Sequence, residues 1–290
     1  MYFLVVALLC SVALGFLFKI YARMGLDLFQ VIVFNYITCV LCGWGVMGEY
    51  PISESSLRAP WAPYALILGF LFVSGFNGAA LTVKYYGVTI SQVMQKMSIL
   101  MTVPFAIVVL GEQAGIRQYA GIVAAVAAIV LINWPAGADS PARAPRRSPM
   151  LLLIPVMTWL LSGLIEVLFL EVNRYGYTVS GTAPFVTNVF GVASVLGMLV
   201  AVVGWVSGHL RFDWRCVLGG VVLGIPNYGS MYFLMQTLSI EPGVFVFPVL
   251  NIGIIALTTI GAVLVFKEKL GRVQTWGLGA ALIAIMLMSY

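Results

Sequence analysis

Residues 91–100 read SQVMQKMSIL and set Gln92, Gln95 and Lys96 into surroundings that are otherwise apolar. Positions i, i+3 and i+4 share one face of a helix. An ammonium beside two amides offers a fixed positive charge and several donors to an anionic or acceptor-rich group. The plainer alternative is a lysine whose apolar stem lets it snorkel to an interface, but that leaves the two glutamines on its face unexplained. A second charge, Glu166, stands inside LLSGLIEVLFLEVNRYG. A carboxyl without a counter-charge in apolar surroundings suits reversible protonation, with a structural hydrogen-bonding role as its rival. Asn77 in SGFNG (74–78) resembles Asn227 in GIPNYG (224–229), where Tyr228 follows, and Asn251 lies in a later apolar run. Lys96, Gln92, Gln95, Asn77, Asn227, Tyr228 and Asn251 are therefore expected to ring a polar hollow that binds a small molecule. Asn35 and Asn188 line it or bond between helices.

Other chemistries lack their residues. The single histidine, His209, is in a loop, and there is no H-E-x-x-H, no G-x-S-x-G, no P-loop and no acid pair at helical spacing within an apolar run. No catalytic residue, metal or cofactor is expected. The net charge of +5 is spread over loop ends without an arginine-rich or aromatic-interleaved face, so nucleic acid is not an expected partner.

The elements that position these groups follow from composition. Of 290 residues, 62% are hydrophobic and only 9% charged, which leaves too little polar surface to coat a soluble globule. Apolar runs of roughly 18–24 residues match helices that cross a hydrocarbon core, and period-2 alternation is missing, against a barrel. The expected fold is an all-α polytopic membrane protein with the lipid bilayer as a partner. Its ten spans are expected at about 2–20, 29–47, 64–86, 90–110, 116–134, 150–170, 181–205, 216–238, 243–266 and 272–289. The opening MYFLVVALLCSVALGF lacks a basic n-region and a clear cleavage site, so it reads as a retained first helix. Cys39 and Cys42 spell C-x-x-C but fall inside a span, where thiols serve as packing residues.

The segment PAGADSPARAPRRSP (135–149) is a linker near the midpoint, and the halves on either side match in sequence. An offset of 156 pairs GEQAGIRQYAGIVAA (111–125) with KEKLGRVQTWGLGAA (267–281), setting Glu112 on Glu268, Gly115 on Gly271, Gln118 on Gln274 and Gly121 on Gly277. An offset of 151 pairs Ser11 with Ser162 and Arg23 with Arg174. The domains expected are a five-helix repeat at 1–134, the linker, and a second repeat at 150–290. An odd number of spans per half inverts the second half in the membrane, the architecture of secondary transporters with a midplane site.

Ten spans, a five-plus-five repeat and a GE or KE closing the fourth helix of each half resemble the drug/metabolite transporter superfamily, EamA-type, over essentially the whole chain. The resemblance implies proton-coupled or exchange transport of small metabolites, such as amino acids or organic anions, in a bacterial inner membrane. Glu166, marked above by its own surroundings as suited to reversible protonation, is the candidate for proton coupling. Small multidrug members of the superfamily couple through a glutamate in the first helix, and residues 2–20 contain no acid, so that scheme does not carry over. A channel or lipid-translocating protein is the alternative, and an intramembrane enzyme a more remote one. Homodimerisation is left open.

Three further expectations concern geometry. Straight helices would put Lys96 about 9 Å and Glu166 about 24 Å from the same membrane face, about 15 Å apart in depth. Glu112 and Glu268 should do structural work at helix ends, capping the next helix. Arg58, Arg117 and Arg174 fall on the side of the termini, whereas Lys19, Arg23, Lys84, Arg143, Arg146, Arg147, Arg211, Arg215, Lys267, Lys269 and Arg272 fall on the other. That imbalance favours termini outside the cytoplasm, although the superfamily more often has them inside.

Overall fold

The computed structural model describes residues 1–48, 53–86, 88–134, 151, 153–176, 181–266 and 271–288. Among these residues there are twelve α-helices and no strand: α1 (Tyr2–Arg23), α2 (Leu28–Met47), α3 (Glu54–Leu57), α4 (Ala62–Tyr86), α5 (Val88–Lys96), α6 (Ile99–Val108), α7 (Ile116–Ile132), α8 (Leu153–Arg174), α9 (Thr182–Val206), α10 (Trp214–Leu238), α11 (Gly243–Phe266) and α12 (Arg272–Met288). Helices are the only open-chain structures that satisfy every backbone polar group internally in hydrocarbon. Seven stretches are long and apolar enough to cross a bilayer: α1, α2, α4, α8, α9, α10 and Gly243–Gly261 of α11. Both α7 and α12 are apolar but only 17 residues long. The predicted fourth span, 90–110, is not one helix but the pair α5 and α6. Both α10 and α11 run through an internal proline, Pro226 and Pro248 respectively. The linker 135–149 and Glu268 lie outside the described residues.

Helix ends follow local chemistry. Asp27 caps α2 by accepting from the Gln30 amide at 3.1 Å, and Asp213 caps α10 by accepting from the Arg215 amide at 2.9 Å. Gly48 closes α2 with φ +68°, a left-handed conformation that glycine adopts without strain.

The chain packs as two compact units, each drawing on both sequence halves. One comprises Met1–Val73 and Glu171–Ile240. Within it α2 packs on α9 and α10, and α10 packs on α1. Small residues let the backbones approach: a Cβ on Gly220 would fall 2.8 Å from the Asn35 amide nitrogen. Along α2 and α9, Gly43 faces Thr187 and Gly197 faces Val33. The core includes the fully buried Phe185 and Phe190.

The other unit comprises Ser74–Leu170 and Glu241–Tyr290. Its tightest pair is α7 with α12, running antiparallel: Gly121 meets Met288, Ala284 and Leu287, while Gly277 meets Ile132 and Leu131. Buried positions are Gly121, Ala125, Ala128 and Ile132 on α7, and Gly277, Ala281, Ala284 and Met288 on α12. A Cβ on Gly277 would lie 2.6 Å from the Ile132 backbone nitrogen, which cannot yield without moving α7. Gly277→Ala is therefore expected to destabilise by about 1–3 kcal/mol. Gly279 meets nothing within 4 Å, so Gly279→Ala should gain up to about 1 kcal/mol of helix propensity instead. Melting of the two variants in detergent checks the contrast; equal melting temperatures would remove the packing explanation.

Candidate functional site

The unit containing α5 and α6 holds Lys96, Glu166 and Asn251. The ladder between these helices breaks at Met97 and Ser98, directly after Lys96, and the turn is held by tighter bonds: Ser98 N–H to Gln95 O at 3.3 Å, Leu100 N–H to Met97 O at 3.0 Å and Met101 N–H to Ser98 O at 2.8 Å. The Met97 carbonyl also accepts from the Trp159 indole N–H of α8 at 2.9 Å. A break in hydrocarbon surroundings needs such substitutes for its lost backbone bonds. Pro104 weakens α6 further, because without an N–H it returns no bond to the Leu100 carbonyl.

At the break Lys96 leaves α5 and its Nζ donates to Asn251 Oδ1 of α11 at 3.1 Å. Asn251 Nδ2 donates in turn to Glu166 Oε1 of α8, also at 3.1 Å. The Asn251 amide is thus oriented by chemistry: a lysine can only donate to it, and Glu166 Oε1 accepts from it. Glu166 Oε2 lies 2.6 Å from Thr102 Oγ1 of α6, and that hydroxyl also lies 3.0 Å from the Ser98 carbonyl. Asn251 is 3% exposed, while Lys96 and Glu166 are half-buried. One amide therefore bridges the two charges, which corrects the expected separation of about 15 Å in depth. Counting residues from span ends assumes straight, upright helices, and the α5–α6 break ends that count at Lys96 itself. Glu166 is correspondingly not left without a partner.

The other predicted residues are distributed differently. Gln95 donates back to Ser91 of its own helix, to O and Oγ at 3.3 Å each, and Gln92 is exposed. Asn77 on α4 is exposed too. Asn227 and Tyr228 belong to the first unit. There Asn227 Nδ2 donates to Asn35 Oδ1 at 3.1 Å, and the Cys39 thiol donates to the Gly224 carbonyl at 3.4 Å. Asn188 donates to Pro184 of its own helix. Tyr228 is buried, stacks on Tyr232 at 6.0 Å and lines an apolar cleft of about 530 Å³ with Cys10, Cys42, Pro226 and Phe233. Thr102, Ser98 and Trp159 escaped the sequence reading, since Ser, Thr and Trp occur throughout apolar helices. One signal was available for Thr102: the 156 offset sets it on Thr258, and each hydroxyl bonds the carbonyl four residues back.

Glu112 works at a helix end, but not at the next helix. Its Oε1 and Oε2 accept from the Gly243 and Val244 amides at 2.9 and 2.7 Å, so the carboxylate caps the first turn of α11, the helix that carries Asn251. The start of α7 is served instead by Gln118 Oε1, which accepts from the Gly115 amide at 2.9 Å; Gln274 does the same for Gly271 at 3.0 Å. Glu112→Gln replaces one acceptor oxygen by an NH₂ facing an N–H and removes the charge from the helix N-terminus. It should cost about 1–2 kcal/mol in thermal unfolding, whereas Glu112→Asp should recover less than half of that because its carboxylate falls one methylene short.

Apolar helices of spanning length, holding a lysine–amide–carboxyl chain within them, define a polytopic helical membrane protein. Residues 1–134 match the model of the EamA-like transporter family, part of the drug/metabolite transporter superfamily and a family of membrane transporters of small molecules. A protein of Haemophilus influenzae, described as uncharacterized, is 28% identical over 297 residues, covering 100% of this chain and 98% of its own. A crystal structure shares the fold with TM-score 0.78 over 99% of this chain and 96% of that one, at 14% identity.

Proposed function

We propose that the chain is a secondary transporter, proton-coupled or exchanging, which carries a small polar metabolite across a bacterial inner membrane by alternating access between two inverted five-helix repeats. The observation that carries this reading is the chain Lys96–Asn251–Glu166, with Thr102 at its far end. Ionisable groups inside a membrane protein are costly and are retained where they bind or couple. Lys96 and Asn251 contact the substrate in this reading, and Glu166 carries the coupled proton. Gln92, Gln95 and Asn77, of the same unit, line the approach in this reading. Glu112 and Glu268 remain structural.

Paired contacts support the inverted repeat. Moving each partner by 156 residues turns the Gly121 contact with Leu287 and Met288 into the Gly277 contact with Leu131 and Ile132. An offset of 154 likewise turns Gly43–Thr187 into Gly197–Val33. An antiparallel pair whose contacts exchange under the repeat operation is what a two-fold axis produces. The same 156 offset pairs Gly87 and Val88 in sequence with Gly243 and Val244, the residues whose amides Glu112 receives. Local matches alone would leave the handedness of the relation open; exchanged contacts favour inversion.

Counterflow in proteoliposomes tests the reading. A carrier exchanges labelled for unlabelled substrate saturably, and no passage occurs without a substrate on the far side of an obligatory exchanger. Ungated flux proportional to concentration would instead identify a channel and end the alternating-access reading.

A further inference from the structure

Resting on the reading of Lys96, Asn251 and Glu166 as the transport site, we propose that the substrate is a small monoanion and that each anion binds together with one proton on Glu166. Hydrogen counting supports the proton on Glu166. The Thr102 hydroxyl has a single proton but two close acceptors, Glu166 Oε2 at 2.6 Å and Ser98 O at 3.0 Å. Protonation of Glu166 on Oε2 gives each contact a proton of its own: that O–H donates to Thr102, Thr102 donates to Ser98, and Oε1 accepts from Asn251 at 3.1 Å, whereas an ionised Glu166 leaves the one Thr102 proton shared between two acceptors.

Charge counting supports the anion. Among the described residues Lys96 is the charged group that acts on the Glu166 carboxyl; the other groups facing it are Ser98 and Thr102 from α6 and Asn251 from α11. With Glu166 protonated, the site holds one uncompensated positive charge. The Lys96 ammonium has three N–H donors, of which one reaches Asn251, and the side chain is half-buried rather than sealed. A monoanion, such as a small carboxylate, matches the two remaining donors and cancels the charge. With Glu166 ionised, the carboxylate itself balances Lys96 through Asn251, and an anion would be repelled. The site is then neutral when empty and neutral when loaded, so a proton and an anion cross together without moving net charge, and neither state leaves a bare ion in a low dielectric.

Equilibrium dialysis of the purified full-length protein against labelled benzoate and L-lactate tests this between pH 5 and 8, with benzamide, lactamide and benzylamine as neutral and cationic controls. Benzoate or lactate should bind, with affinity falling about tenfold per pH unit on the alkaline side, the slope for uptake of one proton. A pH-indicator dye in weakly buffered solution should record one proton taken up per anion bound. Glu166→Gln, fixed in the neutral form, should bind the anion with no pH slope and no proton uptake, and Lys96→Met should lose binding at least tenfold. If the glutamine variant does not fold, the proton count on the wild-type protein decides. Binding of the amide or amine in place of the carboxylates, binding of neither carboxylate, or anion binding without proton uptake would each overturn the proposal. Counterflow of the bound anion is read separately. Binding with proton uptake but no counterflow supports the anion–proton site and overturns the carrier reading, whereas counterflow without proton uptake supports the carrier and overturns this proposal.

Discussion

Replacing Asn251 with leucine should destabilise the purified protein by about 2–5 kcal/mol and abolish counterflow. Leucine keeps the branched outline of asparagine, and its greater bulk adds an overpacking cost to a loss that is mainly polar. The loss comes from two charged or polar partners deprived of their shared amide at once: the Lys96 ammonium loses its acceptor and Glu166 Oε1 its donor. Stranding a buried polar group costs about 1–3 kcal/mol, and more when the group is charged. Asn251→Asp separates geometry from charge. The aspartate still accepts from Lys96, but it turns an oxygen toward Glu166 Oε1, so the two acids must share a proton. This variant should be closer to wild type at pH 5 than at pH 8, while the leucine variant should be impaired at both. Thermal melting in detergent at the two pH values provides the check. A leucine variant that melts within 0.5 °C of wild type would mean that the amide bridges nothing of consequence.

The second large effect is a coupling between the two charges. Lys96→Met at pH 8 leaves Glu166 without its positive neighbour, and Glu166→Gln leaves Lys96 without its negative one. Each should cost about 1–3 kcal/mol, because removing one member of a partly buried pair strands the other. The double variant strands neither. Its loss should fall short of the sum of the singles by about 0.5–3 kcal/mol, the range found for residues joined in one network. At pH 5 the shortfall should shrink, since a protonated Glu166 no longer needs a counter-charge. In the proposed transport reading the double variant should regain stability but not counterflow, because it lacks both the donor proposed for the substrate and the proposed proton site. Additive losses at pH 8 would show that Asn251 insulates the charges instead of linking them.

Much of the fold was legible in the sequence because a bilayer imposes a simple rule. Hydrocarbon tolerates only closed backbone bonding, so apolar runs of spanning length must be helices, and α1, α2, α4, α8, α9 and α10 lie close to the predicted limits. The break at Met97 was not legible. The groups that bond at and beside it, the Trp159 indole and the Asn251 amide, come from helices that lie 62 and 155 residues further along the chain. A hydropathy window sees only neighbours in sequence, and Met97–Ser98 contains neither proline nor glycine to mark a break.

The site divides along the same line. Side-chain type alone marked Lys96, Glu166 and Asn251, since a charge or an amide in an apolar run is rare and needs a reason. Sequence alone also marked Glu112, but gave the wrong partner: capping by the nearest helix is the local solution, whereas the Gly243 and Val244 amides are a distant one. Which residues meet depends on how helices cross, and crossing depends on where Gly121, Gly220 and Gly277 permit backbones to close in. By itself the sequence determined that this chain is helical and lies in a membrane, because those properties are sums over local apolarity. Only the tertiary structure decided that a single amide joins the lysine to the acid, because that contact is set by the packing of three helices remote from one another along the chain.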